Sequence, residues 1–253
     1  MKELFSVKDK VVIVTGSAQG IGLNYARGLA RYGARLALCD RQVEKLQTAA
    51  AELAASGTDV ITDAVDVTDP GQIQSFVEKV MEQFGHIDAL VNNAGVLLRR
   101  TPEEMTAQEW DFIQNVNVKG TFLFAQAVGR EMIKRQEGSI VNIASIASRQ
   151  ALGLRLGYCT SKAAVEHFTR TLAFEWGKHN IRVNAIAPGY IKSDMNADLR
   201  SNPETYNKMV SEVPLGRFGE ADDLLGALIF LCSDASAYVS GQTIYVDGGK
   251  TTQ

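Results

Sequence analysis

The sequence predicts an α/β fold: a single domain on a doubly wound sheet of seven mainly parallel strands, with helices on both faces. Two observations predict it. Short β-branched apolar runs alternate with longer stretches of helical periodicity along the chain, the pattern of βαβ units and of a parallel sheet covered on both faces. The 253 residues also lie within the size that one α/β domain reaches, and no Pro/Gly/Ser-rich linker, repeat or low-complexity segment divides them.

The elements follow in order. Val11–Thr15 is a buried strand by its β-branched composition. Ile21–Tyr32 has helical periodicity. Arg35–Cys39 is a strand, Val43–Ala55 a helix, Val60–Val65 a strand and Ile73–Phe84 a helix. Ile87–Val91 forms the fourth strand. A long helix is expected from about Thr106 to Lys134, with Thr101 or Thr106 as its N-cap. Ser139–Ala144 is a strand, Tyr158–Lys178 a helix and Arg182–Ala187 a strand. After an irregular stretch, Ala221–Cys232 is a helix and Thr243–Val246 the last strand.

Composition narrows the function classes. Hydrophobic residues make up 45%, charged residues 22%, and prolines number five, which excludes a disordered or fibrous chain. The 26 basic and 29 acidic residues leave a net charge of -3 with no dominant basic patch, so no nucleic-acid partner is expected. Cys39, Cys159 and Cys232 are widely spaced, without C-x-x-C, which argues against a disulfide framework or zinc site. His86, His167 and His179 form no metal-binding pair, so no metal is expected. No signal-peptide core stands at the N-terminus, and no apolar run approaches the ~18 residues of a membrane span. A cytoplasmic protein with no membrane partner is the expectation.

Four motifs carry chemistry. Thr15-Gly16-Ser17-Ala18-Gln19-Gly20-Ile21-Gly22 joins the first strand to the first helix. Glycines there let backbone approach a pyrophosphate at a positive helix N-terminus, as in Rossmann-like units. Asp40 ends the second strand, 24 positions after Gly16. A carboxylate there accepts hydrogen bonds from the adenosine ribose and repels a 2′-phosphate, favouring NAD over NADP, although Arg41 beside it could pair with a phosphate. Asn92-Asn93-Ala94-Gly95 follows the fourth strand; Ala94 and Gly95 keep the chain thin where a flat ring could lie, and Asn92 could brace neighbouring strands. In Tyr158-Cys159-Thr160-Ser161-Lys162, phenol and ammonium share a helix face at i, i+4. A nearby cation favours the phenolate, giving a proton donor and acceptor for carbonyl–alcohol interconversion. Ser145, thirteen residues earlier, adds a hydroxyl at the same carboxyl edge of the sheet.

Together, in this order, these motifs resemble the short-chain dehydrogenase/reductase family over essentially all 253 residues. Further matches are Asp66-Val67, Asn117, Arg182-Val183-Asn184, Pro188-Gly189 and Val246-Asp247-Gly248-Gly249. The resemblance implies that Tyr158 is the general acid/base, that Lys162 binds the nicotinamide ribose and lowers the tyrosine pKa, and that Ser145 polarises the substrate oxygen. It implies that Asn117 holds a water in a proton relay. Gly16, Gln19, Gly20, Ile21, Gly22 and Asp40 would hold the cofactor, with Asp66 and Val67 at the adenine, and Asn93, Ala94 and Gly95 lining it. Pro188, Gly189, Ile191 and Ser193 would form the loop over the nicotinamide, where the family usually has threonine at the place of Ser193. Gln19 stands where NADP-preferring members often carry a basic residue.

The implied reaction is hydride transfer between NAD(H) and a secondary alcohol or ketone. A polar substrate lid is expected over residues 190–218, including Asp194, Met195, Asn196, Arg200, Tyr206 and Met209. Arg99, Arg100, Arg149 and Arg155 lie near the expected pocket and could clamp a carboxylate. With Leu4-Phe5-Ser6 and Pro188-Gly189-Tyr190-Ile191-Lys192-Ser193-Asp194-Met195, which are similar to gluconate 5-dehydrogenase-type members, they point to a sugar acid or polyol. The alternatives are a 3-oxoacyl thioester reductase and a non-catalytic dinucleotide-sensing protein. The resemblance also implies a homo-oligomer, tetramer or dimer, with the two long helices pairing across a two-fold axis.

Overall fold

The computed structural model describes residues 4–193 and 197–252. Its sheet runs β3-β2-β1-β4-β5-β6-β7, and every pairing is parallel. The strands are β1 Val11–Thr15, β2 Arg35–Asp40, β3 Val60–Ala64, β4 Ala89–Asn92, β5 Gly138–Ile143, β6 Ile181–Pro188 and β7 Thr243–Val246. The chain winds outward from β1 to β3, then returns to place β4 on the other side of β1. The crevice beyond the carboxyl ends of β1 and β4 is therefore the switch point where such sheets bind ligands.

Strand periodicity divides the core. Val12 and Val14 face one layer with Leu36, Leu38 and Val91; α1 (Gly20–Arg31), α2 (Val43–Ala55) and α9 (Leu225–Cys232) cover it through Tyr25, Leu29, Leu46 and Leu228. Val11 and Ile13 face the other layer, covered by α3 (Pro70–Phe84) and α5 (Gly120–Arg135) through Phe76, Val80, Phe124 and Val128. Phe76 and Phe124 are fully buried and meet edge to face at 6.4 Å. Each contributes about 1.5–3 kcal/mol by burial.

The fourth strand begins at Ala89 rather than Ile87, and Asp88 explains the shift. Its carboxylate accepts the Val11 N–H at 2.7 Å and its own N–H donates to the Val11 carbonyl at 2.9 Å. This caps the edge of the ladder and leaves Ile87 as a buried core residue outside it. The long helix starts at Ala107 under Thr106, whose hydroxyl and backbone exchange hydrogen bonds with Glu109 in a capping box. It runs as α4 (Ala107–Gln114), a π-helical turn at Asn115–Lys119, and α5. The helix expected from Tyr158 begins one turn-fraction earlier, as α6 (Leu156–Trp176), and a 3₁₀ turn at Gly177–His179 follows. The irregular stretch holds α7 (Ala197–Ser201) and α8 (Pro203–Ser211), where Tyr190 and Tyr206 stack on Phe218 at 5.6 and 5.0 Å. Asp194, Met195 and Asn196 lie outside the described residues. No described helix is long and apolar enough to cross a membrane.

Candidate active site

A cleft of about 720 Å³ opens at the carboxyl edge of the sheet. Its lining includes every residue assigned to the site from the sequence except Asn117: Gly16, Gln19, Gly20, Ile21, Gly22, Asp40, Asp66, Val67, Asn93, Ala94, Gly95, Ser145, Tyr158, Lys162, Pro188, Gly189, Ile191 and Ser193.

At one end the glycine turn leads into α1. Gly20 has φ +59° and open space where a side chain would stand, while a Cβ on Gly16 would come within 2.8 Å of the Ala94 backbone. The N-cap Gln19 makes no side-chain cap, and no acidic residue stands in the first turn of α1. The first N–H groups of this helix therefore face the cleft without a protein acceptor from the cap, at the positive end of the helix dipole. That donor set fits a dinucleotide pyrophosphate. Thr15 Oγ1 accepts the N–H groups of Asn93 and Ala94 at 3.1 and 3.0 Å, and Asn93 Nδ2 donates to the Thr15 and Gly16 carbonyls at 3.0 Å. These bonds lock the two loops together. Thr15 opens the glycine motif, and its bridging role depends on the β1–β4 neighbourhood.

Asp40 is held at the end of β2, accepting from the Ala18 N–H at 3.1 Å and the Gln42 N–H at 3.0 Å. Asp66 Oδ1 accepts from the Thr68 N–H and hydroxyl at 2.9 and 2.8 Å, and its Oδ2 lies 3.5 Å from Arg41. Burial pushes the Asp66 carboxyl up, but the Thr68 bonds and the Arg41 charge outweigh it and hold the group below its usual value. An amino group reaching Asp66 Oδ2 has to share it with Arg41.

At the other end stand Ser145, Tyr158 and Lys162. Ser145 follows β5, and its Oγ accepts the Ala147 N–H at 3.2 Å. It also acts on the Tyr158 hydroxyl, drawing its pKa down. Lys162 is buried, donates to the Ile143 carbonyl at 2.6 Å and lies 5.7 Å from the Tyr158 ring centre. Burial lowers its ammonium pKa from 10.5 to about 8. The expected lowering of the tyrosine pKa is not found. Burial of Tyr158 dominates and pushes its hydroxyl above 10.0, offset in part by the Ser145 hydrogen bond and the charge of Arg155.

Asn117 sits in the π-helical turn and is buried. Its Oδ1 accepts the Val96 N–H at 2.8 Å, and its Nδ2 donates to the Val96 carbonyl and Ser161 Oγ, both at 2.9 Å. The side chain is spent on tying the segment after Asn93 to α6, and its own carbonyl accepts the Thr121 hydroxyl at 2.8 Å. A water relay through this residue would therefore have to use the carbonyl. Asn92 braces the sheet through Asn142 Oδ1 at 3.0 Å.

The four arginines separate. Arg99 and Arg155 line the cleft. Arg100 pairs with Glu109 at 2.9 Å, and Arg149 stacks on Tyr245 at 4.4 Å and faces Glu166. In the segment expected to be a lid, Met209 reaches the cleft, whereas Arg200 donates to the Ser193 carbonyl and Tyr206 packs on Phe218.

A family model described as enoyl-(acyl carrier protein) reductase matches residues 16–251. Gluconate 5-dehydrogenase of Gluconobacter oxydans is 40% identical over 249 residues, spanning 98% of this chain and 97% of that one. The chain is a short-chain dehydrogenase/reductase. Another relative, D-threitol dehydrogenase of Mycolicibacterium smegmatis, is 38% identical over 247 residues, 98% of this chain and 95% of the relative. A solved gluconate 5-dehydrogenase from Burkholderia cenocepacia, in complex with NADP and tartrate, superposes with a TM-score of 0.96 at 37% identity, covering 99% of this chain and 98% of that one. As a short-chain dehydrogenase/reductase, the chain is an oxidoreductase of the alcohol–ketone class that uses a nicotinamide dinucleotide.

Proposed function

We propose that the protein oxidises a secondary hydroxyl of a small sugar acid or polyol, and reduces the matching ketone, with NAD as the preferred cofactor. The observation that carries the reading is the convergence of Ser145, Tyr158 and Lys162 in the same cleft as the uncapped start of α1 and Asp40.

When bound, the nicotinamide supplies the hydride acceptor or donor. The protein's part is orientation and proton transfer. Ser145 and Tyr158 hydrogen-bond the substrate oxygen. In oxidation, Tyr158 takes the hydroxyl proton as the carbon gives up hydride; in reduction it returns a proton to the carbonyl oxygen. Burial pushes the phenol up and the Arg155 charge opposes it, and a cation at Lys162 would favour the phenolate that oxidation needs. Asn117 fixes Val96 and Ser161, and so keeps the loop after Asn93 in register with α6.

Asp40 supports NAD, because two backbone N–H bonds fix its carboxylate where an adenosine 2′-phosphate would have to approach. The Burkholderia relative was solved with NADP, so both cofactors belong in the test. Initial rates with NAD and NADP across sugar acids, polyols and β-keto thioesters decide the matter. Turnover confined to thioesters, or a preference for NADP, would overturn the corresponding part of the reading. The expected homo-oligomer is supported by the apolar surface on α5 and α6, where exposed Phe122 meets Phe168 edge-on and Phe174 is 87% exposed.

A further inference from the structure

The charged residues lining the cleft are unevenly placed. Beyond the ends of β2 and β3 lie Asp40, Arg41 and Asp66; around the reacting groups lie Arg99, Arg155 and Lys162, with no carboxylate among the described lining residues there. Arg99 has an acidic partner outside the lining, Asp198 of α7, at 3.1 Å. Arg155 has none among the described residues. Its guanidinium donates to the Gly153 carbonyl at 2.9 Å, and the charge that acts on it most is the cation of Arg99.

Arg155 is also held in place. It is the N-cap of α6, three residues before Tyr158 and so on the same face of the first turn. The residue before it, Leu154, has φ +61°, a left-handed conformation that costs energy for a branched side chain. That conformation lets the Leu154 carbonyl accept the Arg100 N–H at 2.9 Å and sets Arg100 and Arg155 side by side as a β-bridge. The two arginine-bearing segments are thus clamped across the mouth of the cleft.

We propose that Arg155, backed by Arg99, is the subsite that receives the carboxylate of the substrate and makes the enzyme select hydroxy acids over neutral polyols. The inference rests on the sugar acid or polyol reading and narrows it. An anion beside Arg155 adds a counter-ion between two like charges and can accept from guanidinium donors for which the described residues supply only the Gly153 carbonyl. The uncapped first turn of α6 reinforces the positive potential at the same spot. The partial burial of Arg155, which lowers its pKa ahead of the Arg99 charge, means that the interaction forms in a site partly shielded from water.

The test compares D-gluconate with sorbitol, which carries CH2OH where gluconate carries a carboxylate. Wild type, Arg155→Gln and Arg155→Lys are assayed for kcat and KM on both, and for binding of both in the presence of NADH by fluorescence titration. Arg155→Gln is expected to lose about 10- to 100-fold more in kcat/KM for gluconate than for sorbitol, the difference lying in KM, whereas the loss of its charge beside Tyr158 falls on kcat for both compounds alike. Arg155→Lys keeps the charge but not the fork and should fall between. Equal losses on both compounds, or an undiminished gluconate preference in Arg155→Gln, overturn the proposal while leaving the sugar acid reading intact. If wild type oxidises neither compound yet binds gluconate in an Arg155-dependent way, the substrate reading fails and the anion subsite stands. Should Arg155→Gln not fold, the lysine variant decides: a gluconate loss no larger than its sorbitol loss refutes the subsite.

Discussion

Lys162 is a residue the fold tolerates at a cost, and the cost can be measured. The residue is 5% exposed and its ammonium pKa falls from 10.5 to about 8 through burial. At about 1.4 kcal/mol for each tenfold change in proton affinity, this corresponds to about 3 kcal/mol of destabilisation at pH 7, where the group is charged in both folded and unfolded chains. The hydrogen bond to the Ile143 carbonyl returns about 1–2 kcal/mol. Lys162→Met fills the same volume without the charge or the donor. It should therefore be inactive yet more stable than wild type at pH 7, by about 1–2 kcal/mol. The folded pKa lies below the unfolded one, so the unfolded chain binds more protons between about pH 8 and 10.5. Wild-type stability gains on the variant through that window, and the gap between the two closes as pH rises. Urea denaturation of both proteins without cofactor, at matched concentration and at pH 7, 8.5 and 10, measures this. A variant less stable than wild type at pH 7, or a gap that does not change with pH, would refute the reasoning.

Three further outcomes are expected. Tyr158→Phe should bind NADH as wild type does, by fluorescence titration, while turnover falls at least 10²–10⁴-fold; unchanged turnover would remove Tyr158 from the chemistry. Gly22→Ala drives a methyl into the Gly16 carbonyl oxygen and the Asn93 amide, so thermal unfolding should show a loss of about 1–3 kcal/mol and the KM for the dinucleotide should rise more than that for substrate. Glu166→Gln should lower stability by about 1 kcal/mol at pH 7. Burial pushes that carboxyl up, but Ser148, Tyr245, Arg149 and Arg170 together hold it below its usual value. The wild-type advantage is then present above about pH 4.5 and fades as pH falls through the depressed folded pKa, which a denaturation series from pH 7 to 3.5 checks.

The layout of the sheet was legible because parallel strands buried on both faces leave a compositional trace that needs no knowledge of neighbours. Val11–Thr15 and Thr243–Val246 were read with their observed bounds for that reason. The π-helical turn at Asn115–Lys119 had no such trace. It changes backbone hydrogen bonding within an unbroken helix, and it accompanies bonds from Asn117 to Val96 and Ser161, 21 and 44 residues away. Ile87 looked like strand because it is apolar and buried, but the ladder is set by Asp88, whose bond to Val11 spans 77 residues. Arg149 and Arg155 are indistinguishable as basic residues between Ser145 and Tyr158. A counter-ion separates them, since Arg149 meets Glu166 and Arg155 meets no described carboxylate.

Glu166 also explains why one helix can carry so much of the site. Tyr158, Lys162 and Glu166 recur at four-residue intervals and so share a face of α6. Two of them are directed at the cleft; the third anchors the helix from behind. Glu166 Oε2 accepts the Tyr245 hydroxyl at 2.7 Å, Tyr245 shares a hydrogen bond with Ser148 at 3.0 Å, and Ser148 Oγ donates to the Ser145 carbonyl at 2.7 Å. This chain of bonds joins α6, β7 and the turn after β5, the elements that set the distance between Ser145 and Tyr158. The reacting hydroxyls need a fixed separation to hold one oxygen between them. A buried carboxylate with aligned partners supplies that fixity where a purely apolar contact would leave the turn free to slide.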